Sequence, residues 1–184
     1  MSSGSKHSLP LEDRSIILIT GGARSGKSRY AQQLALSFSD NPVYVATAKV
    51  WDDDFEQRVK RHQNERDERW TNFEEQRNVS ALQIDNRICV IDCVTLWLTN
   101  FFIDTKNDID ESLALFKKEI DSIKEKSGTF IIITNEIGMG VHADSEMGRK
   151  FTDLQGWANQ HVASIADKVV LMVSGIAVTI KEKQ

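Results

Sequence analysis

The chain has 184 residues, of which 40% are hydrophobic and 27% are charged, and its formal net charge is −4. This length fits one globular domain with its own core and is too short for two domains of ordinary size. The net negative charge excludes the broad attraction to nucleic acids or anionic membranes that a basic protein shows, and no apolar stretch is as long as a membrane span.

The first 14 residues are polar and rich in serine, without the apolar segment of a secretory signal. We therefore predict a disordered leader over 1–14 and a single domain over 15–184. The two cysteines, Cys89 and Cys93, have none of the partner cysteines or histidines that a zinc site needs. We interpret them as buried, reduced thiols, and we expect a cytoplasmic protein.

Short β-branched runs alternate with longer helical stretches along the chain. The pattern predicts six strands, at 16–20, 43–46, 87–92, 129–134, 168–173 and 176–180. It predicts four helices, at 27–38, 53–68, 110–126 and 145–166. Such alternation is typical of an α/β domain with a mainly parallel sheet flanked by helices. The tight turn at 173–177 predicts two edge strands, the last of them antiparallel.

Two of the predicted helices carry an apolar stripe at helical spacing, and we interpret both stripes as core faces. The first stripe comprises Ala31, Leu34, Ala35 and Phe38. The second comprises Met147, Phe151, Leu154, Ala158, Val162 and Ile165.

The segment between the first strand and the first helix carries the most specific motif. Residues 21–28 read GGARSGKS, which fits the pattern G-x-x-x-x-G-K-[ST]. Such a loop directs backbone N–H groups at phosphate oxygens, at the positive end of the helix dipole. Lys27 would reach the β- and γ-phosphates, and the Ser28 hydroxyl would ligate Mg²⁺. The motif predicts a nucleoside triphosphate site formed by Gly21, Gly22, Ala23, Arg24, Ser25, Gly26, Lys27 and Ser28.

The strand at 87–92 ends in Asp92, which could supply the carboxylate that holds Mg²⁺. An alternative is that Asp92 caps a following helix, since Asp is favoured at that position. The residues from Asp92 onward read DCVT and not D-x-x-G, and no N-K-x-D motif is present, so the sequence argues against a regulatory GTPase. Asn135 and Glu136 follow the next strand and suit substrate or nucleotide contacts, although turn chemistry alone would explain the nearby glycines.

The stretch 51–70 holds seven acidic and five basic residues, so it is no nucleic-acid patch despite its arginines. On a helix, His62 lies on the same face as Arg58, four residues earlier. A lone histidine on a charged helix is usually a surface residue.

Taken together, these motifs resemble the bifunctional adenosylcobinamide kinase/adenosylcobinamide-phosphate guanylyltransferases of cobalamin synthesis. The resemblance runs over 16–181 and has six parts. These are GGARSGKS at 21–28, VYVATA at 43–48, RVKRH at 58–62 with Trp70 beyond it, DCVTLWLTN at 92–100, TNEIGMG at 134–140 and VSGIAV at 173–178.

The resemblance implies a P-loop, RecA-like fold and two reactions. ATP or GTP first phosphorylates the aminopropanol hydroxyl of adenosylcobinamide. GTP then transfers GMP to His62, and the adenosylcobinamide phosphate takes it to give adenosylcobinamide-GDP. His62 and Lys27 are the implied catalytic residues, with Mg²⁺ held at Ser28 and Asp92. Members of the family assemble as homotrimers.

Further roles follow from position alone. Arg58 and Arg61 could neutralise phosphate charge around His62, and Asp92 or Glu136 could be the general base of the kinase step. Two other functions stay open: a P-loop small-molecule kinase with no covalent intermediate, and a nucleotide-binding interaction subunit. The presence of Lys27, Ser28 and an acidic strand end argues against the second.

Overall fold

The computed structural model of the protein describes residues 14–49 and 66–183. The predicted leader lies outside the described residues, apart from Arg14, which begins the first strand instead. The helix predicted at 53–68 also lies outside them up to residue 65, and residues 66–68 are not helical.

The described part of the chain is built on a seven-stranded sheet. Its strands are β1 Arg14–Gly21, β2 Val43–Ala46, β3 Thr71–Glu74, β4 Arg87–Asp92, β5 Gly128–Ile133, β6 Lys168–Val173 and β7 Ile176–Glu182. The order is β3-β2-β4-β5-β1-β6-β7. All neighbours are parallel except β6 and β7. The predicted mainly parallel sheet with an antiparallel edge is therefore confirmed.

Two details of the predicted sheet are wrong. β6 is an internal strand, because it pairs with β1 on one side and with β7 on the other. β3 is missing from the predicted strands, since its sequence TNFE contains a single large apolar residue and gives almost no strand pattern.

Four helices flank the sheet within the described residues: α1 Lys27–Phe38, α2 Val94–Asp104, α3 Ile109–Lys124 and α4 Glu146–Ile165. A 3₁₀ turn covers Val79–Ala81. Three of the helices match predicted ones. α2 is absent from the predicted set because its sequence, VTLWLTNFFID, is apolar on several sides and lacks a clear helical period. No described helix has both the length and the apolar character needed to cross a membrane.

The two faces of the sheet pack against different helices. α1 covers the face that carries Ile17 and Ile19, whereas α2, α3 and α4 cover the face that carries Ile16 and Leu18. Both predicted apolar stripes pack into these cores, with one exception. Met147 is 55% exposed because it lies in the first turn of α4, where the neighbouring residues are exposed as well.

Candidate nucleotide-binding site

The GGARSGKS loop joins the carboxyl end of β1 to the amino end of α1, in the middle of the sheet. Gly21 has φ of 150° and Gly26, the N-cap of α1, has φ of 97°. A Cβ atom at Gly21 would lie 2.5 Å from the backbone oxygen of Met172 in β6. Both positions therefore need glycine: Gly26 because of its backbone conformation, and Gly21 because of its conformation and because a Cβ atom has no room there.

The turn between β6 and β7 supports this loop. The Gly175 N–H donates to the Ser25 carbonyl at 2.9 Å, and a Cβ atom at Gly26 would lie 3.4 Å from the Gly175 Cα. The loop tip, at 22–24, is exposed, whereas Ser25 is buried. The turn thus belongs to the site, although the sequence pattern gave it no role beyond joining two strands.

Lys27 lies inside the loop and is only 7% exposed. Its Nζ donates to the carbonyl oxygens of Gly21 at 2.9 Å and Gly22 at 2.6 Å. Burial lowers the pKa of Lys27, an effect that the nearby Asp92 carboxylate partly offsets. The ammonium group is thus held where it could reach the phosphate oxygens of a nucleotide bound to the loop amides.

Ser28 and Asp92, which are far apart in sequence, meet beside Lys27. The Ser28 hydroxyl donates to Asp92 Oδ2 at 2.9 Å. The alternative role of Asp92 as a helix cap is wrong, because the N-cap of α2 is Cys93. Ser28 and Asp92 therefore lie next to each other, as predicted.

The donor set at this point fits a magnesium ion. Mg²⁺ prefers oxygen ligands and is usually held by one or two protein groups together with substrate phosphates. The Ser28 hydroxyl and the Asp92 carboxylate supply two such oxygens at the end of the phosphate loop.

Tyr44 is a site residue that the sequence pattern missed. Its hydroxyl donates to the same Asp92 oxygen at 2.6 Å. Burial, and then the Asp92 charge, raise the pKa of Tyr44 well above its ordinary value. In the sequence, only the phenol in the otherwise apolar strand VYVA points to a polar role for Tyr44. That role becomes clear only from the structure, in which β2 lies next to β4.

The Tyr44 ring is enclosed by two further side chains. The Arg66 guanidinium lies 3.8 Å from the ring centroid, and the Trp70 ring meets it edge-on at 5.9 Å. Arg66 Nε also donates to Asn72 Oδ1 at 2.7 Å, so two contacts fix the guanidinium.

The polar pair after β5 also lies beside the loop, as predicted. The Glu136 N–H donates to the Gly21 carbonyl at 3.0 Å, and Glu136 Oε1 accepts from the Gly138 N–H at 3.1 Å. The Asn135 side chain donates to Thr95 Oγ1 at 3.1 Å, which ties the end of β5 to the start of α2.

Three predicted site residues, Arg58, Arg61 and His62, lie outside the described residues. Arg66 is the first described residue after them, four positions beyond His62.

Residues 17–180 match the family described as cobinamide kinase / cobinamide phosphate guanyltransferase. The chain belongs to this family. It is 35% identical over 181 residues to the Escherichia coli (strain K12) bifunctional adenosylcobalamin biosynthesis protein CobU, covering 90% of this chain and 99% of that protein. It is 35% identical over 170 residues to the Pseudomonas aeruginosa bifunctional adenosylcobalamin biosynthesis protein CobP, covering 89% of this chain and 96% of that protein.

Solved structures with lower identity share the fold of this family member. An ATPase of the type III secretion system of pathogenic bacteria superposes with a TM-score of 0.56 at 12% identity, over 90% of this chain and 56% of that one. The structure of Project ID PH0250 from Pyrococcus horikoshii OT3 gives 0.53 at 8% identity, over 92% and 87% of the two chains. The predicted P-loop, RecA-like α/β architecture is therefore confirmed.

Proposed function

We propose that this protein is an adenosylcobinamide kinase and adenosylcobinamide-phosphate guanylyltransferase. It phosphorylates adenosylcobinamide with ATP or GTP, and then transfers GMP from GTP to the phosphorylated product to give adenosylcobinamide-GDP. The observation that carries the proposal is the grouping of Lys27, Ser28 and Asp92 at the phosphate loop in a chain that belongs to the cobinamide kinase family along most of its length.

In the kinase step, the loop amides bind the phosphates and Lys27 exchanges its carbonyl partners for β- and γ-phosphate oxygens. The substrate hydroxyl attacks the γ-phosphorus, and the bond to the bridging oxygen breaks to release the nucleoside diphosphate. Ser28 and Asp92 would hold Mg²⁺, which would neutralise phosphate charge. Positioning and charge neutralisation account for most of the rate in such transfers.

The hydroxyl proton needs an acceptor, and two strand-end carboxylates are available. Asp92 Oδ2 already accepts from Ser28 and Tyr44, which favours a role as a fixed anion. Glu136 is the better candidate for general base, because its backbone is bonded to Gly21 at the loop itself.

In the guanylyl transfer, a His62 ring nitrogen attacks the α-phosphorus of GTP and pyrophosphate leaves. The phosphate oxygen of adenosylcobinamide phosphate then attacks the same phosphorus, and the P–N bond to His62 breaks. Neutral imidazole is a good nucleophile near neutral pH. The contact of Arg66 with the Tyr44 ring supports this role, because Tyr44 is bonded to Asp92 and four residues of chain span at most about 14 Å. Arg58 and Arg61 would neutralise charge around the same phosphates.

We also propose that the protein works in the cytoplasm as a homotrimer. Its described cysteines are both free and buried, which suits a reducing compartment. β7 is an edge strand whose Ile176 and Val178 are exposed at 67% and 45%. Alternate residues of a strand share one face, so these two side chains form an apolar patch of the kind that subunit contacts cover. Sedimentation equilibrium tests the trimer directly.

The nucleophile is tested with GTP labelled on the α-phosphate. The wild-type protein should acquire an acid-labile, alkali-stable label, and His62→Ala should not. His161→Ala, a histidine paired with Asp121 on the protein surface, is the matched control and should label normally. Transfer from γ-labelled nucleotide to adenosylcobinamide without any α-label would instead support the kinase with no covalent intermediate.

A further inference from the structure

Tyr44 makes two contacts that join otherwise separate parts of the site. Its hydroxyl donates to Asp92 Oδ2 at 2.6 Å, and its ring carries the Arg66 guanidinium at 3.8 Å from the centroid. One side chain on β2 therefore touches the carboxylate assigned to magnesium and the described residue nearest to His62 in the chain.

The bond to Asp92 restrains the orientation of that carboxylate. Asp92 ends β4, and Tyr44 lies on the adjacent strand β2, so the donor belongs to the rigid sheet and not to a loop. A second hydroxyl, that of Ser28, donates to the same oxygen at 2.9 Å. Groups that orient a metal ligand in this way typically contribute about 10- to 100-fold to metal affinity.

The ring contact restrains Arg66. A guanidinium over an aromatic face is attracted by the ring quadrupole, and Arg66 Nε is further fixed by Asn72 Oδ1 at 2.7 Å. Trp70 meets the edge of the same ring at 5.9 Å and limits its rotation. The positive charge of Arg66 is thus held on the ring whose hydroxyl donates to Asp92.

We propose that Tyr44 is a positioning residue that acts through two partners. Its hydroxyl orients Asp92 for magnesium in both reactions, and its ring holds the Arg66 charge for guanylyl transfer alone, since Arg66 is four residues after His62 in the chain. The second half of this inference rests on the proposed role of His62, whereas the first half does not.

The hydroxyl is tested by Tyr44→Phe, which removes one oxygen and keeps the ring. Tyr30, the other tyrosine of the chain, lies on α1, and Tyr30→Phe is the matched control. GTP binding is measured by calorimetry in EDTA and across a magnesium series. Tyr44→Phe should raise the magnesium concentration for half-maximal enhancement of binding by about tenfold and leave binding in EDTA unchanged. Equal magnesium curves for the two variants would overturn the role of the hydroxyl.

The ring contact is tested by Arg66→Ala, with Arg69→Ala as the control in the same segment. Arg69 is exposed and paired with Asp67, away from the Tyr44 ring contact. In single-turnover labelling with α-labelled GTP, Arg66→Ala should slow labelling of His62 by about tenfold or more, in line with the loss of a fixed charge beside a phosphate. Its kcat/KM for phosphorylation of adenosylcobinamide should stay within about twofold of wild type.

The outcomes separate this inference from the proposed function. If the wild-type protein acquires no label from α-labelled GTP, the role of His62 is wrong, and so is the role of Arg66 in guanylyl transfer. The magnesium measurement then still decides whether the Tyr44 hydroxyl orients Asp92. Normal labelling of Arg66→Ala, in a protein whose wild type labels, overturns the anchoring of Arg66 and leaves the guanylyl transfer intact. A parallel fall of both reactions in Arg66→Ala would also overturn the selective role.

Discussion

The Gly175 N–H donates to the Ser25 carbonyl at 2.9 Å, so the turn between β6 and β7 braces the phosphate loop from the side. β1 carries the phosphate loop, and the two strands of this hairpin follow β1 in the order of the sheet. The geometry of the nucleotide site therefore depends on a turn that is about 150 residues away in sequence and contributes no charge.

Replacement of Gly175 should weaken both the fold and the nucleotide site. Its φ is 84°, a conformation that costs a residue with a side chain about 1–2 kcal/mol. A new Cβ atom would have room, since its nearest neighbour is Arg29 Nη2 at 4.0 Å, so the cost is conformational. We expect Gly175→Ala to lower the free energy of unfolding in urea by that amount and to raise KM for GTP.

Gly156 is the matched control for that substitution. It lies inside α4, and a Cβ atom there would meet nothing within 4 Å. Gly156→Ala should therefore raise the free energy of unfolding by about 0.5–1 kcal/mol. Equal effects of the two alanine substitutions would contradict the conformational account of Gly175.

Lys27→Met should separate activity from stability. Removal of a donor aimed at developing phosphate charge should lower kcat of both reactions by about 100- to 1,000-fold.

Burial lowers the pKa of Lys27, so the unfolded chain holds the proton of the Lys27 ammonium group more tightly than the folded protein does. Lys27 therefore destabilises the fold below its lowered pKa, and that cost fades as pH rises toward 10.5.

Urea unfolding across alkaline pH measures this effect. The variant should be more stable than wild type at neutral pH, and the difference should shrink as pH rises. A variant that is less stable at neutral pH would show that the lysine hydrogen bonds to Gly21 and Gly22 outweigh the cost of burial.

Local patterns predicted the parts of the site that depend on neighbouring residues. The GGARSGKS loop lies between a strand and a helix as predicted, and Asp92 ends a strand whose bounds match the predicted ones. Strand ends of a parallel sheet meet at one edge, so the approach of Ser28 to Asp92 followed from these two elements without knowledge of the strand order.

The missed features depend on contacts between distant residues. The bond from Tyr44 to Asp92 joins positions 48 apart, and it requires that β2 and β4 be neighbours in the sheet. The helix α2 was not predicted, because it is buried on several sides, including at Trp97 and Phe102, and so shows no clear apolar period. Met147 fits the apolar period of α4 but lies where that helix has left the core.

Stability should fall steeply at alkaline pH because both thiols are buried. Burial raises the pKa of Cys89 and of Cys93 from 9.0 to about 12. A raised thiol pKa stabilises the fold fully below 9.0, and this stabilisation is lost as pH rises through about 12. Each thiol should cost on the order of 1 kcal/mol between about pH 8 and pH 10.

Cys89→Ala isolates one of the two thiols, since every other group titrates in both proteins. The free energy of unfolding of wild type should drop more than that of Cys89→Ala over this interval, by on the order of 1 kcal/mol. Identical pH profiles for the two proteins would mean that Cys89 ionises in the folded state as easily as in the unfolded chain.

Glu136→Gln should slow the kinase step and spare the guanylyl transfer. If Glu136 accepts the proton of the substrate hydroxyl, its amide should lower kcat for phosphorylation by about 100-fold or more. The attack of neutral His62 on GTP requires no such acceptor, so single-turnover labelling by α-labelled GTP should stay within about twofold of wild type. Glu125→Gln, an exposed carboxylate at the end of α3, is the control and should leave both rates unchanged.

The glutamine variant is a strict test because it preserves the local geometry. The backbone N–H of residue 136 still donates to the Gly21 carbonyl, and the amide oxygen can still accept from the Gly138 N–H as Oε1 does. Only the ability to take up a proton is lost. A kinase rate equal to wild type would therefore leave Asp92 as the remaining strand-end acceptor. A loss shared equally by both reactions would instead mean that the Glu136 charge acts on the bound triphosphate and not on the hydroxyl.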